Sequence, residues 1–227
     1  MKPIKAPPFG STHDIMDQGY NVYHSDVAND TYLVFLHGLG GQIPQFESQL
    51  QHFSQYYNVI GIDIVGHGKS VVSGNESDYR IERIVYTVYT ILDLKVIDKK
   101  LILVCHSFGC LIGNLLSLKL PIQGMIAIAP KTTLSEKECA KAHKLAKLPI
   151  WCLEVLRFMD RFAGTHSPSV NRMVRPKASL VHRRKQLAFN LKTPTKVIRN
   201  MLRGLQPIPQ TAFQGVLPKL AIVCVVN

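Results

Sequence analysis

The stretch Leu101-Ile102-Leu103-Val104-Cys105-His106-Ser107-Phe108-Gly109 decides the fold. Residues 101–105 form an unbroken apolar run of strand length. Phe108–Leu118 reads as a buried helix with small residues near its start. A tight turn holding one serine separates the two. This strand–turn–helix order is the setting of the G-x-S-x-G nucleophile elbow, whose sharp turn strains the serine backbone and lifts Oγ clear of the sheet. Positions two before and two after the serine must be small, because the helix passes close to the strand. Gly109 meets that condition, and Cys105 stands where glycine is usual. The helix start puts the Phe108 N–H beside Oγ, where it can stabilise an oxyanion. Ser107 is therefore the candidate nucleophile, and His106 and Gly109 shape its turn.

Working outward, residues 31–36 (TYLVFL) read as a buried strand closed by His37-Gly38-Leu39-Gly40-Gly41, a loop rich in residues that accept positive φ. An elbow serine takes its second oxyanion donor from such a loop. The Leu39 N–H is the candidate, with His37 and Gly38 supporting it. Residues 44–56 place Phe46, Leu50 and Phe53 at helical spacing, with Pro44 suited to the first turn. Residues 58–64 are a second apolar strand, followed by Val65-Gly66-His67-Gly68-Lys69-Ser70. Asp63 and His67 precede Ser107, whereas the catalytic order is Ser, acid, His, so a structural role is expected for both. Residues 81–97 suit a helix, 124–129 a strand, and 20–27 a weakly alternating edge strand. Apolar strands alternating with helices indicate an α/β fold with a mostly parallel sheet.

That regularity stops at Pro130. Residues 131–216 read as a helical, proline-broken cap inserted before a returning strand at 217–226, giving a division into 1–130, 131–216 and 217–227. The charge divides at the same place. Residues 1–130 carry 9 basic and 11 acidic side chains, net −2, while 131–227 carry 18 and 4, net +14, together the chain's +12. A whole-chain pI of 9.6 invites a nucleic-acid reading. No stacking aromatics interleave with the basic run Arg172–Lys185 and no nucleic-acid motif is present, which argues against that partner. The run is expected to be a solvated face or, alternatively, an anionic membrane or lipid-droplet surface. Residues 148–163 are expected to pack over the active-site cleft, the alternative being a lid that lines an acyl pocket or touches lipid.

Five cysteines, without metal-ligand spacing, point to reduced thiols rather than to disulfides or zinc. The N-terminus shows no secretory signal, and no apolar run reaches about 18 residues, the length of a membrane span. An intracellular location, cytoplasmic or peripheral on a lipid surface, is expected.

The elbow, the His37–Gly41 loop and the Asp63–Ser70 segment together resemble the α/β-hydrolase family over about residues 31–130 and 217–226. Within it, residues 35–47 (FLHGLGGQIPQFE), Ala129-Pro130-Lys131 and residues 200–206 (NMLRGLQ) are most similar to abhydrolase-domain serine hydrolases that include fungal lipid-droplet-type enzymes. The resemblance implies hydrolysis of carboxylic, lipid-like esters through an acyl-enzyme at Ser107, with no metal or organic cofactor. Its serine argues against epoxide hydrolases and haloalkane dehalogenases, which carry Asp at the elbow. The family's acid and histidine follow later strands, but here no acidic residue follows Asp160 and no His follows His182. Recruitment of Asp160 and His166 from the cap is not expected, because cap residues lack a rigid strand to aim them. The chain thus reads as a hydrolase missing its final segment, last strand and helix included. The alternatives are an impaired form acting as a binding or regulatory module, and an acyltransferase.

Overall fold

The computed structural model describes residues 14–15, 19–96, 98–174, 177–213 and 221–225. Strand β1 (Asp14–Ile15) leads to β2 (Tyr20–Ser25) and β3 (Thr31–Leu36). A 3-10 turn at Ile43–Phe46, with Pro44 in its first turn, runs into α1 (Glu47–Phe53), so the expected single helix over 44–56 divides in two. β4 (Asn58–Ile62), α2 (Ile81–Lys95), β5 (Lys100–His106), α3 (Phe108–Leu116) and β6 (Ile122–Ile128) follow.

The sheet has the order β1-β2-β4-β3-β5-β6-β7, with β7 at Ala221–Val225. β3 to β7 run parallel, and β2 is antiparallel to β4. β7 pairs with β6 although more than ninety residues lie between them in sequence. Residues 131–213 therefore lie in sequence between two neighbouring strands of the sheet. The expected strand start at 217–220 lies outside the described residues, as does 226.

Residues alternate between the two faces of the sheet. Val34, Leu36, Ile60, Ile62, Leu103 and Cys105 join the larger core cluster beneath α2 and α3. Leu33, Phe35, Val59 and Val104 join Phe46 and Leu50 on the other face. Both faces are covered, which explains why β3 and β4 read as apolar runs rather than alternating patterns.

The insertion contains α4 (Glu136–Ala146), α5 (Ile150–Ala163), α6 (Pro168–Met173), α7 (Leu180–Lys192) and α8 (Thr195–Arg203). α4 begins with a capping box, Ser135 accepting from the Glu138 N–H while Glu138 accepts from the Ser135 N–H. α8 roots the insertion in the core through fully buried Val197 and Met201. A backbone bridge between Leu134 and Ile208 closes its base.

The first turns of α3 lie hard against the sheet. A Cβ at Gly109 would stand 2.3 Å from the Leu36 carbonyl oxygen, a backbone atom that cannot step aside. At Gly113 it would stand 2.8 Å from Cys105 Sγ. The unusual Cys105 is thus matched by a glycine one turn further along the helix. Gly113→Ala is expected to lower stability by about 1–3 kcal/mol through overpacking. Adding Cys105→Gly should return part of that loss, as a non-additivity of about 0.5–3 kcal/mol in a double-mutant cycle of urea unfolding.

Candidate active site

Leu36 on β3 pairs with Cys105 on β5, so the loops leaving these strands emerge side by side at the carboxyl edge of the sheet. β4 lies on the other side of β3. Connections therefore diverge at this point, and such crevices are where parallel sheets bind ligands.

Ser107 occupies the one-residue turn from β5 to α3 with φ 48° and ψ −112°. Backbone of this kind costs about 1–3 kcal/mol and persists only where its surroundings over-determine it. Here the Ser107 N–H donates to the Ile128 carbonyl at 3.0 Å, and the Ser107 carbonyl accepts from the Cys110 N–H at 2.9 Å. Cys110 Sγ adds a bond to the Cys105 carbonyl at 3.2 Å. The Phe108 N–H is the first of α3 and has no carbonyl one turn behind it.

The loop after β3 closes on this turn. A Cβ at Gly38 would lie 3.1 Å from Ser107 Cβ and 3.0 Å from His106 Nδ1, so a side chain there would crowd the elbow. The Gly41 N–H donates to the Gly38 carbonyl at 2.9 Å, and the Gly40 N–H to His67 Nε2 at 3.1 Å. Among the described residues no acceptor is found for the Leu39 N–H.

Buried polar side chains hold the loop in shape. His37 Nε2 accepts from the Ile64 N–H at 3.0 Å, which leaves Nδ1 to donate to the Gly38 carbonyl at 2.8 Å. His67 Nδ1 donates to the Val65 carbonyl at 2.9 Å, which frees Nε2 for Gly40. Burial drives the pKa of His37 down to about 4 and that of His67 to about 3, so both rings are neutral. Asp63 stands 3.9 Å from His37 Nε2, but that lone pair is already taken by Ile64, so the two form no ion pair. The Asp63 carboxylate accepts instead from the Ile43 N–H at 2.7 Å, Asn21 Nδ2 at 2.7 Å and the Lys69 N–H at 3.1 Å. Burial nonetheless raises its pKa. Asp63 and His67 are thus fully engaged in bracing the loop.

A cleft of about 590 Å³ opens beside the elbow. His106 and Ile128 from the strand ends, Phe46 and Gln49 from the first helical segment, and His182 and Gln186 from α7 are among its lining. Burial lowers the His106 pKa. α7 closes over the core through a Gln45–Gln186 hydrogen bond of 3.2 Å and a Lys185–Glu47 ion pair of 3.7 Å. Asn190 lies against Gly40.

Ser107, Phe108, Gly109, His106, His37, Gly38 and Leu39, singled out in the sequence, all lie at this one edge. Asp160 and His166 do not join them. Asp160 accepts from the Ser169 N–H at 3.4 Å, while His166 Nδ1 lies 3.3 Å from Thr165 Oγ1. Among the described residues no histidine–carboxylate pair reaches Ser107. Sequence reasoning missed the cleft-lining Gln45, Gln49, His182 and Gln186, whose convergence depends on the packing of α7.

Two expectations for the cap are corrected. Residues 148–163 do not pack over the cleft. Of α5's side chains Leu153 is the buried apolar one, and none of them lines the cleft among the described residues. The basic run is not a uniform solvated face either. Arg183 is buried, donating to the Thr165 carbonyl at 3.0 Å and to Asn171 Oδ1 at 2.7 Å, and Lys177 lines the cleft. Arg175 lies outside the described residues.

Among the described residues no helix is long and apolar enough to cross a membrane. The family model of the alpha/beta hydrolase fold matches residues 31–192. An abhydrolase domain-containing protein of Schizosaccharomyces pombe is 29% identical over 210 residues, which is 87% of this chain and 57% of the relative. The chain thus spans little more than half of that relative's length. Among solved structures, MenH from S. aureus is similar at a TM-score of 0.72 and 18% identity, over 92% of this chain and 89% of its own. A structure reported with the carboxylesterases of Nitrososphaera gargenis gives a TM-score of 0.71 at 16% identity, over 96% and 79%.

The buried histidines set a pH dependence. Unfolded, His37 and His67 take up protons near the ordinary pKa of 6.5, but folded they resist protonation until about pH 4 and about pH 3. Their contribution is fully present above pH 6.5 and is lost as pH falls through those folded values. Asp63, with its raised pKa, opposes this only in the carboxylate range. Urea unfolding at a series of pH values should show stability falling below pH 6.5. His67→Gln should flatten the slope near pH 5 by about one proton, about 1.4 kcal/mol per pH unit.

Proposed function

The chain belongs to the α/β-hydrolase fold family, and on that premise we propose that it is a serine hydrolase acting on carboxylic esters. The observation that carries this reading is the strained Ser107 on its one-residue turn, with the Gly38 loop drawn against it. Ser107 Oγ attacks the ester carbonyl carbon, its proton passing through solvent to the leaving alkoxy oxygen, and the carbonyl oxygen becomes an oxyanion. The N–H groups of Phe108 and Leu39 hold that charge, helped by the N-terminal end of α3. Collapse of the intermediate breaks the C–O bond, releases the alcohol and leaves an acyl-enzyme. Water then attacks the acyl carbon, and the acid departs as Oγ regains its proton. Acyl transfer differs only in that an alcohol replaces this water.

His37, Gly38 and Gly109 position the donors and touch no reacting atom, while His106 lines the wall where the substrate lies. A cleft of about 590 Å³ suits a ligand of modest size. Its glutamines, histidines and Lys177 favour a compact ester bearing hydrogen-bonding groups over a long, unbroken acyl chain.

A second reading, a binding module that keeps the elbow, is favoured by the lack of a histidine–carboxylate pair at Ser107 among the described residues. One experiment separates the two. A fluorophosphonate probe should label the chain at Ser107, and Ser107→Ala should abolish the label without moving the unfolding midpoint. Among p-nitrophenyl esters, short acyl chains should turn over faster than long ones. A folded chain that stays unlabelled and hydrolyses no ester would favour the binding module.

A further inference from the structure

α5 presents its apolar face to solvent. Trp151, Val155, Phe158, Met159 and Phe162 recur at intervals of three and four residues and share one side of the helix. They are 63%, 50%, 66%, 61% and 88% exposed. Leu145 and Leu148, at the end of α4 and in the turn after it, are also exposed. The inward side is anchored by polar groups as well as by buried Leu153. Arg157 Nη2 donates to the carbonyls of Asn190 at 3.0 Å and Thr193 at 2.6 Å, and Asp160 accepts from the start of α6. The usual arrangement of a surface helix, apolar in and charged out, is thus inverted over three turns. Water-facing apolar stripes of this extent mark an interaction surface.

We propose that this face of α5 lies on an anionic lipid surface, with its aromatic side chains in the headgroup region. Charge selects the occupant. Residues 131–227 carry a net +14, and Lys147 and Arg161, which flank the stripe in sequence, are exposed, as is Lys144. Glu154 is the exposed carboxylate of α5. Large aromatics flanked by cations are the composition of helices that lie in a membrane interface. At 14 residues, about 21 Å, α5 is too short to span a bilayer and lies in its plane. A second copy of the chain would instead bring two strongly cationic caps together. The proposal goes beyond the hydrolase reading and does not rest on it.

Trp151 is the only tryptophan of the chain and stands on the stripe, so its fluorescence reports the contact. The full chain is titrated with vesicles of mixed phosphatidylserine and phosphatidylcholine, and with pure phosphatidylcholine. The expected result is a blue shift and quenching by bromine-labelled acyl chains on the anionic vesicles. Binding should weaken as salt rises from about 0.1 M to about 1 M, where the screening length falls from about 10 Å to about 3 Å. Phe158→Glu with Phe162→Glu should reduce binding at least about tenfold, since each phenylalanine loses its burial in the interface. Both side chains are exposed, so an unchanged unfolding midpoint should verify the fold. Ser107→Ala should bind like the parent, which separates this test from that of catalysis. Four results would overturn the proposal: no shift with anionic vesicles; equal, salt-independent binding to phosphatidylcholine; a tryptophan already blue-shifted and shielded from acrylamide in buffer, as when the chain covers its own stripe; or concentration-dependent dimerisation that the double variant abolishes.

Discussion

The contact between the start of α3 and the end of β3 sets the spacing on which the rest of the site depends. With the Gly109 Cα drawn so near the Leu36 carbonyl, no Cβ fits between helix and strand. At that distance a single residue must turn the chain from β5 into α3, and Ser107 takes up the strain. The same proximity orients the first turn of α3 toward the space above the sheet and brings Gly38 against the serine. Strain at one residue and close packing at three glycines are thus one arrangement, held by the bonds of Ser107 to Ile128 and Cys110.

Around that contact the protein spends buried polar groups on its loops. Asp63, His37 and His67 lie in the interior, yet each has its hydrogen-bonding atoms occupied, largely by backbone. A loop of glycines has little to pack and would otherwise sample many conformations. Fixing it through amide and carbonyl groups holds its shape without requiring bulky side chains of its own. Neutral imidazoles suit this task, since a neutral ring offers one donor and one acceptor at fixed geometry.

The elbow, the order of strands and helices, and the split in charge were legible in the sequence because each rests on short-range pattern. Apolar runs bounded by glycine mark strands, and Gly109 two residues after Ser107 marks the turn. The cap was less legible for a physical reason. Periodicity in 150–163 defines an apolar stripe but not the side on which the protein lies. That side is set by Arg157 and Asp160 finding partners on α7 and at the start of α6, contacts made only by the folded chain. Arg183 makes the same point from the opposite direction, a cation within a basic run that is buried because Thr165 and Asn171 receive it. The cleft escaped the sequence likewise, since its glutamines come from segments about 140 residues apart.

Cys105 and Gly113 carry one further consequence. The Cys105 sulfur takes up space between β5 and α3, and the helix yields it by omitting a methyl group. What is constrained is a shared volume rather than the identity of either residue. Lineages of such proteins can exchange bulk between the strand and the helix while the elbow keeps its shape. The exchange has a preferred order: emptying the strand position first leaves a small void, whereas filling the helix position first forces a collision. Descent from a glycine-bearing elbow to this one would then pass most easily through a chain small at both positions.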